Sequence, residues 1–140
     1  MDKIVIDHFN IRYSDGNESL RDINLTIPAN QVFVMFGPAG GGKSTLLRAL
    51  NRLNDLTDVV AVSGEIRFNG QNILDPKTDV IELRRKIGMV FSRPVPLPLT
   101  IYENVVYGLR QMGERKKARL DEAVEKSLKL AVLWDEVYDR

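Results

Sequence analysis

The sequence predicts an α/β fold in three consecutive parts: antiparallel β-strands, a strand–glycine loop–helix core, and a run of helices. Apolar and polar residues alternate through Ile27, the pattern of half-buried strands. The apolar run QVFVMF (Gln31–Phe36) then enters GPAGGGKST (Gly37–Thr45), which is followed by leucines at helical spacing. Beyond Thr100 the apolar residues recur every three or four positions.

Each element has a local reason. Lys3–Tyr13 reads as a strand, with Ile4 and Ile6 alternating, and Leu20–Ile27 as its neighbour. Ser14–Asn17, SDGN, between them has turn chemistry. Gln31–Phe36 is expected to be a strand buried in a parallel sheet. Leu46, Leu47, Leu50 and Leu53 mark the helix after the glycine loop. Glu65–Phe68 and Gln71–Leu74 flank Asn69-Gly70, the preferred pair for a two-residue hairpin turn. Asp79, with Glu82 three residues on, predicts a capped helix to about Lys86. IGMVF (Ile87–Phe91) reads as another short buried strand. Pro94, Pro96 and Pro98 lie in Ser92–Thr100, and their missing N–H donors force a loop. Thr100 and Glu103 form a second capping pair, opening a helix with Ile101, Val105, Leu109 and Met112 on one face, ended by Gly113. Glu114–Leu133 reads as a further helix striped by Leu120, Val124, Leu128 and Ala131, and Trp134–Arg140 as a polar stub.

The chemistry concentrates in Gly37–Thr45. This segment fits G-x-x-x-x-G-K-[ST], with Gly37, Gly42, Lys43 and Ser44 at the fixed positions. At ordinary residue usage a chance match in such a chain is on the order of one in two hundred, so the pattern counts as signal. A triphosphate needs many inward donors and little side-chain bulk. Gly40, Gly41 and Gly42 free the backbone to gather N–H groups into an anion nest, spanned by Pro38 and Ala39 at its start. The following helix start adds partial positive charge. Lys43 would reach the terminal phosphates, Ser44 would ligate Mg²⁺, and Thr45 could offer a hydroxyl or N–H to the α-phosphate.

Composition narrows the rest. The 140 residues suit one domain, and a net charge of +1 gives no global field for nucleic acid or an anionic membrane, so no nucleic-acid partner is expected. Cysteine is absent, which removes disulfides, thiol catalysis and Cys-based zinc sites. The single histidine, His8, excludes two-His metal sites and reads as a packed or solvent-facing strand residue. The start MDKIVIDHF has no signal-peptide core, and no apolar run approaches the roughly 18 residues of a membrane helix, so a cytoplasmic location is expected.

The segments GPAGGGKSTLLRALNRLNDL, GEIRFNGQNIL and LRRKIGMVFSRPVPLPLTIYENVVYGLR together resemble the ATP-binding subunits of ABC transporters. The asparagines of NRLNDL and the proline-rich loop before IYENVVYGLR are most like those of the bacterial phosphate importer ATPase. The resemblance covers nearly all the chain and implies the N-terminal portion of a P-loop, ABC-type nucleotide-binding domain. Residues 1–91 would form the β subdomain and P-loop core, 92–100 the Q-loop-like segment, and 101–140 the start of the helical subdomain.

That resemblance implies ATP and Mg²⁺ as ligands and places Tyr13 where the family stacks an aromatic on adenine. It implies permease subunits meeting the loop Arg93–Leu99, a second ATPase subunit closing over the nucleotide, and attachment to the inner membrane face through those permeases. Ser92 stands where the family has a glutamine that contacts Mg²⁺ and the attacking water; a serine is too short to span that distance without a bridging water. The family's signature motif, catalytic glutamate and switch histidine have no counterpart in the 140 residues. The expected function is ATP hydrolysis coupled to inward phosphate transport, with negligible hydrolysis by these 140 residues alone. The alternatives are a truncated ATP-binding module without hydrolysis and an ABC ATPase for another small solute. A small-molecule kinase is disfavoured by the antiparallel segments and the proline loop.

Overall fold

In the computed structural model, residues 2–140 are described, and they form two compact units that divide between Val90 and Phe91. The first is built on a four-stranded antiparallel sheet in the order β2-β1-β3-β4. Its strands are β1 (Asp2–Tyr13), β2 (Glu18–Pro28), β3 (Val59–Phe68) and β4 (Gln71–Asn72). The turn joining β3 to β4 has Asn69 at φ 51° and Gly70 at φ 82°, the two positive dihedrals that an Asn-Gly hairpin supplies at least cost. Helix α1 (Lys43–Ala49), a 3₁₀ turn (Leu53–Leu56) and helix α2 (Val80–Lys86) complete the unit. Asp79 caps α2 through bonds from the Ile81 and Glu82 N–H groups. Glu82 turns instead to Arg85 and Lys86. Ile6, Phe9, Ile11 and Ile66 from the sheet bury against Leu46, Ala49 and Leu50 of the segment after the glycine loop.

β1 is irregular at His8, where its register shifts against both neighbours. His8 and Asp22 both have positive φ, at 46° and 48°. On β3, Gly64 faces the bulge so closely that a Cβ there would stand 2.2 Å from the His8 carbonyl oxygen. Side-chain amides replace the broken ladder. The His8 N–H donates to Asn24 Oδ1 at 2.9 Å, Asn10 Nδ2 donates to the His8 carbonyl at 2.7 Å, and the Asp22 N–H donates to Asn10 Oδ1 at 2.7 Å.

The exposed His8 ring meets the Asp22 carboxylate at 2.6 Å. That hydrogen bond, then the charges of Asp22 and Asp7, raises the His8 pKa above its ordinary 6.5. A histidine raised on folding contributes stability that is complete below the unfolded value and lost as pH rises through the folded one. Asp22, lowered mainly by the same hydrogen bond, adds its share above the ordinary carboxylate range. The melting temperature is therefore expected to fall as pH rises above the ordinary histidine value of about 6.5. His8→Gln should flatten that slope, and an unchanged slope in thermal melts would refute the pairing.

Two apolar runs depart from expectation. Neither Gln31–Phe36 nor Ile87–Phe91 is a strand. Met35 and Ile87 pack against the core, whereas Val32, Phe36 and Val90 are 93%, 92% and 97% exposed. A parallel strand buried on both faces needs a cover on each side and a hydrogen-bonded neighbour. The described residues cover one side only, so the runs remain unpaired chain.

The second unit packs α3 (Ile101–Gln111), α4 (Lys117–Leu130) and α5 (Trp134–Val137). Thr100 and Glu103 form a full capping box at α3. The inward face of α3 is rotated from the expected one: Val106 is fully buried, with Tyr102, Val105 and Leu109 beside it, while Ile101 and Met112 are exposed. Tyr102 OH donates to Asp121 of α4 at 2.8 Å, fixing that rotation. α4 is shorter than Glu114–Leu133. At its start the Glu114 carboxylate accepts the Arg115 and Lys116 N–H groups, folding the chain into a turn. At its end Val132 is left-handed (φ 59°), and the Leu133 N–H bonds the Leu128 carbonyl at 2.9 Å, a Schellman stop. Ala131 is exposed, and Trp134 and Val137 pack on the Val106–Leu128 cluster, so Trp134–Arg140 is not a polar stub.

Candidate phosphate-binding site

The glycine loop joins the sheet to α1, and its conformation follows from two glycines. Gly40 (φ 77°) and Gly42 (φ 78°) are left-handed. Around Gly40 there is open space, whereas a Cβ on Gly42 would meet the Ser19 carbonyl oxygen and Leu20 Cδ2, each at 2.7 Å. Gly42 therefore lets the loop lie directly on the start of β2. The Gly41 N–H closes a turn on the Pro38 carbonyl at 3.3 Å.

Gly42 is the N-cap of α1, and no side chain caps that end. α1 has only seven residues, shorter than its leucine spacing implied, so its macrodipole contributes little. Cationic charge comes from Lys43, whose Nζ donates to the carbonyls of Gly37 at 2.9 Å and Pro38 at 2.5 Å. The ammonium is thus folded back onto the loop that precedes it. Ser44 is exposed. The Thr45 hydroxyl, which with its N–H is the loop's candidate donor to an α-phosphate, meets Ser19 Oγ at 2.9 Å.

These donors fit a phosphate chain. Gly37 and Gly40 have no atoms near where a Cβ would stand, one ammonium sits at the loop, and a free hydroxyl follows it. Among the described residues no group of three or more His, Asp or Glu could hold a metal. A Mg²⁺ here would take Ser44 and otherwise phosphate and water oxygens, which suits its preference for few protein ligands.

Tyr13 ends β1, partly buried, with its N–H bonded to the Asn17 carbonyl at 2.9 Å. Ser19, two residues beyond Asn17, touches Gly42 and Thr45. Ser92 and the loop Arg93–Leu99 belong to the second unit and are exposed. Asn104 of α3 organises that loop: it accepts the Leu97 N–H at 2.8 Å and donates to the carbonyls of Leu97, Leu99 and Thr100.

Two residues at the glycine loop escaped sequence reading. Ser19 has no local signal. Asn54 lies within NRLNDL, and its Nδ2 donates to the Thr45 carbonyl at 2.9 Å.

The family model described as ABC transporter matches residues 20–139. The chain belongs to the ABC transporter family. Among curated ABC relatives, phosphate import ATP-binding protein PstB of Colwellia psychrerythraea is 57% identical over 135 residues, 96% of this chain and 48% of that protein. Phosphate import ATP-binding protein PstB 1 of Streptococcus pyogenes serotype M1 is 52% identical over 128 residues, 91% of this chain and 51% of its own length. The chain spans about half the length of the curated relatives it matches. Among solved ABC structures, cbiO1 from Clostridium perfringens, part of the ABC transporter complex cbiONQ, matches with a TM-score of 0.74 at 28% identity, over 91% of this chain and 49% of its own. An ATP-bound bacterial Atm1-family ABC exporter matches with a TM-score of 0.77 at 26% identity, over 98% of this chain and 22% of its own. No helix among the described residues is long and apolar enough to cross a membrane.

Proposed function

We propose that this chain is the nucleotide-binding half of the ATPase subunit of an ABC importer for inorganic phosphate. The carrying observation is that relatives named as phosphate import ATP-binding proteins match it at more than half identity across nearly its whole length. The Gly37–Thr45 loop would bind ATP, with Lys43 neutralising the terminal phosphates, Ser44 on Mg²⁺ and Tyr13 against the adenine. Mg²⁺, when bound, supplies charge neutralisation between the phosphates. The loop Arg93–Leu99 would dock on permease subunits at the inner membrane face; its exposed Val95, Leu97 and Leu99 and its anchoring by Asn104 suit a shaped contact. A second ATPase copy would close over the nucleotide.

Lys43→Ala is expected to weaken binding of a fluorescent ATP analogue by ten-fold or more, since hydrogen bonds to a charged group contribute about 1.5–3 kcal/mol. Titration of the 140-residue chain with Mg²⁺ checks this, and no Lys43-dependent binding at millimolar nucleotide overturns it. The transport reading is checked by replacing the matching half of the Colwellia relative with these 140 residues. The chimera should import labelled phosphate, and should fail to with Lys43→Ala.

Ser92 favours a second reading, binding without hydrolysis, because serine reaches less far than the family's glutamine. A chimera that binds the ATP analogue yet neither hydrolyses ATP nor transports supports that reading.

A further inference from the structure

We infer that Ser19 and Asn54 are positioning residues for the phosphate loop and act together through Thr45. This rests on the nucleotide-binding reading above. α1 is two turns long and cannot hold its own geometry, so whatever grips its first turn sets the directions of Lys43 and Ser44. Thr45 is gripped from both sides. Its hydroxyl meets Ser19 Oγ at 2.9 Å, and its carbonyl accepts from Asn54 Nδ2 at 2.9 Å. Ser19 also bears on the loop through its carbonyl, against which only a glycine fits at position 42.

Asn54 is held from outside. It sits in the 3₁₀ turn that starts at left-handed Arg52 (φ 57°), and the Arg52 carbonyl accepts from the Arg84 guanidinium at 2.8 Å. Arg52 in turn pairs with Asp55 at 2.7 Å, and Thr57 Oγ1 donates to the Asn54 carbonyl at 2.7 Å. Asn54 is 4% exposed, and its Oδ1 has no hydrogen-bond partner. An apolar residue would avoid that unpaired oxygen; what the amide provides is the bond to Thr45. Successive helical side chains point about 100° apart, so fixing Thr45 against β2 leaves the Ser44 hydroxyl turned outward. Ser19 and Asn54 both bond to Thr45. They set the rotation at which Ser44 is offered to Mg²⁺.

The test titrates the 140-residue chain with N-methylanthraniloyl-ATP, with Mg²⁺ and with EDTA. Ser19→Ala and Asn54→Ala should each weaken Mg²⁺-dependent binding by about five-fold, the range of one lost hydrogen bond. Binding in EDTA should change less than about two-fold, because a residue acting only on overall folding would weaken both alike. The double variant should lose little more than the worse single, as expected for residues sharing one target. Thr45→Val, which removes the hydroxyl that meets Ser19 Oγ, should behave like Ser19→Ala. If Asn54→Ala does not fold, Ser19→Ala and Thr45→Val decide the question. Equal losses with and without Mg²⁺, or no loss, in variants with unchanged melting overturn the positioning role alone. Absence of Lys43-dependent binding in the unsubstituted chain overturns both this inference and the reading beneath it.

Discussion

Gly42→Ala is expected to abolish measurable nucleotide binding and to lower the melting temperature by more than about 10 °C. Two costs combine. A left-handed alanine costs roughly 1–2 kcal/mol, and forcing a methyl into packed surroundings adds about 1–3 kcal/mol. At Gly42 the second cost is severe, because the new Cβ would stand 2.7 Å from the Ser19 carbonyl, and a backbone atom in a strand cannot step aside. Relief requires the loop to lift from β2, which breaks the Ser19–Thr45 contact and frees the start of α1. Gly40→Ala is the internal control: its φ is also left-handed, at 77°, yet nothing lies within 4 Å. It should cost only the strain, about 1 kcal/mol, with much smaller loss of binding. Calorimetry and analogue titration on both variants check this. Equal damage at positions 40 and 42 would show that conformational strain, not the contact with β2, governs the loop.

What the sequence announced and what it concealed divide by the range of the interaction. The Asn69-Gly70 hairpin, the Asp79 cap and the Thr100–Glu103 box are closed within four residues, and each stands as its pattern implies. The motif at Gly37–Thr45 was legible for the same reason. Helix ends were read wrongly where a left-handed stop is carried by a residue other than glycine. Val132 ends α4 through a local Schellman bond, and Arg52 follows α1 with its carbonyl held by Arg84, 32 residues on. The face of α3 was misjudged because Tyr102 has a partner on α4, Asp121, that no local pattern reveals. The grip of Ser19 and Asn54 on Thr45 was hidden for the same cause: one partner is 26 residues from Thr45 and the other is nine. The two apolar runs show the opposite limit. Their composition asks for burial on both faces, and the residues described here supply one.

Those runs give the second large expectation: the 140-residue chain self-associates at tens of micromolar and above. Val32, Val34, Phe36 and Val90 are each more than 70% exposed, and the backbone that carries them lies outside the sheet ladder. Covering four such side chains offers about 2 kcal/mol each, an upper bound near 8 kcal/mol, against an association cost of roughly 4–15 kcal/mol. The balance gives weak rather than tight assembly, helped by unpaired N–H and C=O groups that a second copy can match. Val32→Thr, Val34→Thr and Phe36→Gln together remove most of the apolar gain. Because these side chains already face solvent, the triple variant should melt within about 2 °C of the parent, given surface effects near 0.5 kcal/mol. Sedimentation velocity from about 10 to 200 μM should show concentration-dependent growth for the parent and a single monomeric species for the variant. A parent chain that stays monomeric over that range and melts sharply and reversibly would mean that the exposed runs are too mobile or too weakly apolar to pair. Growth that persists in the triple variant would instead place the contact on another surface, with the exposed valines of β3, Val60 and Val62, the next to be substituted.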